Sequence, residues 1–200
     1  MPPAVLLRFG DRSVPPALSD LPAHDIGSAT DIDEVLPDEG RLLVAGGDAE
    51  LSVVLTRLLR LERLDLEVAP LRRARLAGRA RSGAARAVPL IRDETATVLV
   101  GKGLWLPPPG SGQIVGEGIV DDSVLFDGVV TALRIEPLDT APGLRAAVDR
   151  GRWRRHRWVA GRAAQLGTTG ARVVRDGVEI PRPVRRSTFY RHTVDWLRVG

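Results

Sequence analysis

Gly46-Gly47-Asp48 is the segment of the chain best suited to chemistry, because of what stands on either side of it. Arg41-Leu42-Leu43-Val44-Ala45 is a continuous apolar run, the pattern of a strand covered on both faces in a parallel sheet. After the glycines, Leu51, Val54, Leu55, Leu58 and Leu59 recur at helical spacing and define one apolar face. Glycines between a buried strand and a helix let backbone N–H groups approach an anion without interference from a Cβ. The helix N-terminus adds its partial positive charge. The same residues also fit a plainer description, a tight turn with Asp48 as the helix N-cap.

Two other constellations carry possible chemistry. Asp121-Asp122 presents two adjacent carboxylates, a donor set for a hard divalent ion or simply a solvated acidic turn. Arg152-Trp153-Arg154-Arg155-His156-Arg157-Trp158 interleaves cations with aromatic rings, which suits phosphates and stacked bases. A helix C-terminus followed by an edge strand with long side chains reaching solvent accounts for the same pattern. His24, His156 and His192 are scattered and lie in no nucleophile-elbow context, so neither a zinc site nor a Ser-His-Asp triad is indicated. With no cysteine, disulfides and thiolate metal sites are excluded.

The elements that must position these residues fall into two halves. Ala4 to Phe9 reads as a first strand, and a Pro-, Asp- and Ser-rich stretch follows, with one short helix expected over 29–36. Arg41 to Ala45, the helix after Asp48 and Leu64 to Ala69 form a strand–helix–strand unit with a right-handed crossover. Residues 72–86 are basic, rich in Ala and Gly and of helical character. Beyond residue 87 the signals become short strands: 87–91, 95–100, 113–119, 129–135, 158–166, 171–175, 184–190 and 194–199. Leu104 to Gly112, with three consecutive prolines, reads as a loop, and Pro142 to Arg150 as a helix. Asp176-Gly177 fits a hairpin turn. The expected fold class is α/β plus all-β: a Rossmann-like α/β domain over 1–86, then a β-sandwich domain over 87–200.

Composition sets the outer limits. The 200 residues, 44% of them hydrophobic, are enough to bury a core, and no apolar run approaches the roughly 18 residues that span a bilayer. Met1-Pro2-Pro3-Ala4-Val5 lacks the basic and apolar regions of a signal peptide, so a soluble cytoplasmic protein is expected. The net charge is +4 and Lys102 is the only lysine, so the basic residues are almost all arginine. That usage fits GC-rich, bacterial coding and a solvated basic surface, or a surface drawn to an anionic lipid, nucleotide or nucleic acid.

The order of the motifs carries a resemblance. Leu43-Val44-Ala45-Gly46-Gly47-Asp48, an amphipathic helix and then Glu67-Val68-Ala69-Pro70-Leu71 together resemble the catalytic domain of diacylglycerol and sphingosine kinases. That family has a Gly-Gly-Asp-Gly-Thr loop after one strand, a Pro-x-Gly-Thr-x-Asn loop after the next, and a β-sandwich as its second domain. Val120-Asp121-Asp122-Ser123-Val124-Leu125 is similar to its Asp-Asp-Gly-Leu-Leu turn, and Gly151 to Val159 to its Gly-to-Val segment. Arg175-Asp176-Gly177-Val178-Glu179 is similar to its Asp-Gly-Glu turn. The resemblance runs from about Ala29 to the C-terminus. It implies ATP with Mg²⁺, Asp48 and Asp176 as catalytic residues, Asp176 helping to activate a lipid hydroxyl, and phosphates held near Gly46, Gly47 and the loop of Arg72, Arg73 and Arg75. Asp121 and Asp122 are then the candidate metal ligands, and Asp176 as a mere hairpin residue stays the alternative.

The departures point the other way. Ala49-Glu50 replaces the family's Gly-Thr, placing a carboxylate where a triphosphate would sit, and Arg72-Arg73-Ala74-Arg75 replaces Gly-Thr-x-Asn. Ser123 ends the Asp-Asp-Gly turn, and the carboxylate of Asp-Gly-Glu falls on Val178 unless Glu179 substitutes for it. The chain is also short for the family. Phosphoryl transfer depends on positioning and charge neutralisation, and one lost electrostatic donor costs roughly 10²–10³ in rate. The expected protein is therefore a non-catalytic or weakly active binding or regulatory relative, with a nucleotide or anionic lipid as ligand, a peripheral membrane contact or a homodimer within its reach. The alternatives are an active ATP-dependent lipid kinase and, less favoured, a nucleic-acid binder using Arg152 to Arg157. If an anion still reaches the turn, one of Arg72, Arg73 or Arg75 should point across it, toward Glu50 or Asp48.

Overall fold

The computed structural model describes residues 3–149, 151 and 155–200. They divide into two compact units, residues 1–88 with 194–200 and residues 89–193. The first unit opens with β1 (Ala4–Arg8), β2 (Ala23–Asp25) and β3 (Arg41–Ala45). Helix α1 (Asp48–Arg60), β4 (Glu67–Pro70), α2 (Ala77–Ser82) and β5 (Ala85–Val88) follow. β3 is buried along its whole length, as its unbroken apolar run requires when both faces of a parallel sheet are covered. Helix α1 buries Leu51, Val54, Leu55 and Leu58, the i, i+3, i+4, i+7 stripe of its sequence. Leu55 is fully buried, so Leu55→Ala should cost about 2–5 kcal/mol. Chemical denaturation checks this, and a loss under about half a kilocalorie would mean that the helix faces the wrong way.

The second unit is built almost wholly of strands, β6 (Ile91–Asp93), β7 (Val98–Leu99), β8 (Gly103–Leu106), β9 (Ile114–Val120), β10 (Ser123–Val130) and β11 (Leu133–Pro137). They continue with β12 (Leu144–Val148), β13 (Val159–Gly161), β14 (Ala163–Arg175), β15 (Val178–Glu179) and β16 (Val184–Arg191). All eleven join one antiparallel sheet. β14 organises it: residues 163–168 pair with β9 and β16, a register shift follows, and residues 172–175 pair with β8 and β15. A long strand that shifts register in mid-course can belong to two groups of strands at once. Residues of both groups, among them Trp105, Phe126, Leu133, Leu166, Val173 and Phe189, form a single core.

Three expectations need correction here. The helix expected over 142–150, whose last residue lies outside the described ones, is a strand: Leu144–Val148 is β12, paired antiparallel with β11 from Leu133↔Val148 to Pro137↔Leu144. Gly143 at φ +123° is unsuited to starting a helix, and burial of Leu144, Ala146 and Ala147 against the sheet rewards the strand over the helix propensity of Leu-Arg-Ala-Ala. Leu104-Trp105-Leu106 is not loop but most of β8, with Trp105 in the core; the loop begins only at Pro107. The third correction concerns the C-terminus, placed by sequence in the second domain. β17 (Trp196–Val199) instead inserts into the first sheet, parallel to β4 and antiparallel to β5, in the order β2-β1-β3-β4-β17-β5. Among the described residues no helix is long and apolar enough to cross a membrane.

Candidate functional site

Parallel pairing in the first sheet brings the carboxyl ends of β1, β3 and β4 side by side. Leu71 N–H donates to the Val44 carbonyl at 2.8 Å and Phe9 N–H to the Ala45 carbonyl at 3.2 Å. The glycine turn therefore opens at the carboxyl edge of the sheet, where ligands of open α/β sheets bind. What fills the turn is a side chain of the protein itself. Glu50 folds back over the first turn of α1, and its Oε2 accepts the Gly47 N–H at 2.7 Å. A Cβ on Gly46 would stand 2.7 Å from Glu50 Cβ, so this glycine makes room for the glutamate. Gly47, not Asp48, is the N-cap, which corrects the expected Asp48 cap. Gly47-Asp48-Ala49-Glu50 thus supplies the glutamate half of a capping box, with its acid three residues past the cap.

Asp48 is left free to pair laterally. It meets the Arg72 guanidinium from the end of β4, a charge contact without the alignment of a hydrogen bond. Of the three arginines beyond β4, Arg72 alone reaches the turn; Arg73 and Arg75 are exposed. In the first unit, then, Gly46, Gly47, Asp48, Glu50 and Arg72 come together, with both acids of the cluster already matched. A phosphate does not fit this arrangement, because the Gly47 N–H has an anionic acceptor and a second anion would be placed against the Glu50 carboxylate.

The remaining candidates lie in the second unit, and two of them, Asp121 and Asp176, are taken up by backbone. Asp121, at φ +49°, turns β9 into β10; its carboxylate accepts the N–H groups of Arg162, at 2.9 Å, and Ala163, also at 2.9 Å. Asp122 is exposed. Among the described residues no group of three or more His, Cys, Asp or Glu side chains gathers as a metal-ligand set. Asp176 and Gly177, at φ +49° and +90°, form the hairpin turn between β14 and β15. The Asp176 carboxylate accepts N–H groups of Val100, Gly101 and Lys102 at 2.9, 2.7 and 2.9 Å, and so ties the loop of 100–102 to the hairpin. Three of its roughly four lone-pair positions are engaged this way, which leaves little room to accept a substrate proton.

Arg152, Trp153 and Arg154 of the basic strip lie outside the described residues. In its remainder, Trp158 stacks with His156 at 5.5 Å and has Arg145 over its ring at 4.3 Å, so neighbours already use the ring faces. His156 Nε2 lies 3.1 Å from Asp149 Oδ1. The Gly151 N–H, and secondarily His156, hold the Asp149 carboxyl below the ordinary aspartate range against the opposing effect of burial. Sequence reading passed over two buried ionic residues. Asp93 binds Arg175 together with the N–H groups of Thr95 and Thr97, and Arg41 holds the end of α2. Arg41 stood at the head of an apolar run that hid it, and Asp93 fell in the charged gap between two expected strands.

The fold has solved counterparts. A protein put forward as a diacylglycerol kinase from Bacillus anthracis str. Sterne superposes with a TM-score of 0.74 at 11% identity, over 98% of this chain and 97% of its own. An NAD kinase from Archaeoglobus fulgidus, solved in complex with ATP, gives 0.66 at 11% identity over 98% and 93%. Yeast NADH kinase complexed with NADH gives 0.57 at 9% identity over 91% and 67%. In sequence, no family model and no curated protein matches the chain. At these identities the likeness establishes a shared fold: a mixed α/β sheet followed by a large antiparallel sheet, with few helices.

Proposed function

We propose that this chain keeps the fold of the diacylglycerol and NAD kinases without their phosphoryl transfer, and works as a binding or regulatory relative. The observation that carries the reading is the Glu50 carboxylate on the Gly47 N–H at 2.7 Å. A glycine turn serves a phosphate by offering it unengaged N–H groups and positive potential; here an internal carboxylate accepts the one and cancels the other. Arg72 adds to the argument, since its charge is matched by Asp48, the residue that the resemblance makes catalytic. Asp176, the other residue so implied, holds a loop through three backbone N–H groups. Two of the structural neighbours were solved with ATP and with NADH. A nucleotide reaching this chain would need a binding mode that leaves the Gly47 N–H with Glu50, or would have to displace the glutamate.

Incubation with labelled ATP, Mg²⁺ and either dispersed diacylglycerol or NAD tests the reading. We expect no transfer above the rate without protein. Turnover on the order of one per second, abolished by Asp48→Ala, would make the chain an active kinase. Thermal shift with ATP, ADP and NAD separates binding from turnover, since a ligand at about 100 times its Kd stabilises the fold by about 2.7 kcal/mol.

A further inference from the structure

Between the end of β4, α2 and β17 lies a cavity of about 310 Å³, bounded entirely by residues of the first unit. Its walls differ in character. Ala80 and Val199 form part of the apolar core beneath it, and Leu76, more than a third exposed, stands at its side. Arg72, Arg79 and Arg198 also line this space. The site sits at the carboxyl ends of the parallel neighbours β4 and β17, the edge at which open α/β sheets take ligands. It lies beside the glycine turn but does not use its N–H groups.

Charge and shape agree on the kind of ligand. Residues 72–86 hold six arginines and no acid. Arg72 is paired with Asp48 and Arg81 with Asp20, whereas the exposed Arg79 guanidinium has no acid or carbonyl partner among the described residues. An unmatched cation beside an apolar wall favours a molecule with an anionic head and an apolar body. A planar guanidinium fork grips two phosphate oxygens at once. A volume of about 310 Å³ is at the lower end of the roughly 300–1,000 Å³ of small-molecule sites, so the apolar body must be small or extend into solvent.

We propose that this cavity binds a phosphomonoester carrying an apolar group, its head on Arg79 and its body against Leu76 and Val199. Such a head can belong to a soluble organic phosphate or to a lipid at a bilayer surface. The site does not depend on the absence of phosphoryl transfer, and its test is read separately from the kinase assay.

Calorimetric titration of the full chain with hexyl phosphate and with inorganic phosphate, and flotation with phosphatidylcholine vesicles with and without phosphatidic acid, test the assignment. We expect saturable one-to-one binding of hexyl phosphate, about tenfold tighter than inorganic phosphate. Arg79→Ala should weaken it about tenfold, the worth of one hydrogen bond to a charged group. Leu76→Ala should weaken hexyl phosphate while leaving inorganic phosphate unchanged. Both side chains are exposed, so the variants should fold, and their unfolding midpoints verify it. Arg79-dependent flotation with phosphatidic acid, without hexyl phosphate binding, would support the site with a lipid as the source. Binding insensitive to Arg79→Ala, equal affinity for the two phosphates, or no binding in either arm would overturn it.

Discussion

Replacing Arg41 by alanine should lower the stability of the protein by about 3–5 kcal/mol, the cost of breaking a buried ion pair from one side. Arg41 is 4% exposed at the start of β3, and all five of its N–H donors are engaged. Nε and Nη2 grip Glu67 Oε2 at 2.8 and 2.5 Å, across the β3–β4 pair. Nη1 donates to the carbonyls of Ala80 and Arg81 at 3.0 and 2.5 Å, and Nη2 to that of Gly83 at 2.8 Å. These carbonyls belong to the end of α2, where a helix has no internal donors left for them. One side chain therefore joins two strands and closes a helix. Alanine would strand the Glu67 carboxylate and three carbonyls together. Lysine, with three donors on a point-like ammonium, should recover only part of the loss. Denaturant unfolding followed by circular dichroism measures both variants. A cost under about 1 kcal/mol for Arg41→Ala would show that water replaces these bonds, and that the arginine does not hold the first unit together.

The second large effect is expected in the other unit. Trp105→Ala should cost about 3–5 kcal/mol, as other aromatic truncations in cores do. Trp105 is fully buried in β8; its ring lies 5.8 Å from that of Phe189, and its Nε1–H donates to the Ser187 hydroxyl at 3.0 Å. Ser187 is itself buried, so the loss combines a cavity with an orphaned hydroxyl. Trp105→Phe keeps most of the packing and removes the donor, and should cost about 1 kcal/mol beyond the ring-size difference. If Trp105→Ala unfolds at the same denaturant concentration as the parent chain, the tryptophan lies in a loop, and the pairing of β8 with β11 and β14 is wrong.

The two halves of the Arg41 interaction show where sequence reading stops. An apolar pentad led by an arginine announces a buried strand, yet nothing local says that this arginine is buried with it. Its partners are 26 residues away at Glu67 and 39 to 42 away at the end of α2. Trp105 was hidden differently: the three prolines that follow it extended the loop backwards over a strand whose partners, Leu133 to Ile135 and Arg172 to Arg175, are remote in the chain. In β12, helix-forming residues adopt a strand because β11 offers them a ladder and a buried face.

By itself the sequence determined what depends on neighbours within a turn or two. β3 and α1 follow from an unbroken apolar run and from i, i+3, i+4 periodicity, and the Asp176-Gly177 hairpin from two residues that accept positive φ. It also placed a carboxylate at residue 50, just beyond the glycine turn. Only the tertiary structure decided what that carboxylate does. Glu50 lies within one helical turn of the Gly47 N–H, but its rotamer is a choice among several. Burial of the apolar face of α1 fixes the helix phase that brings it back over Gly46. The pairing of Asp48 with Arg72 and the insertion of β17 beside β4 rest on strand registers that unite residues 24 to 130 positions apart in the chain. Backbone hydrogen bonds of a sheet are indifferent to side-chain identity, so such registers are chosen by the burial of whole faces, a property of the assembled fold and not of any local stretch.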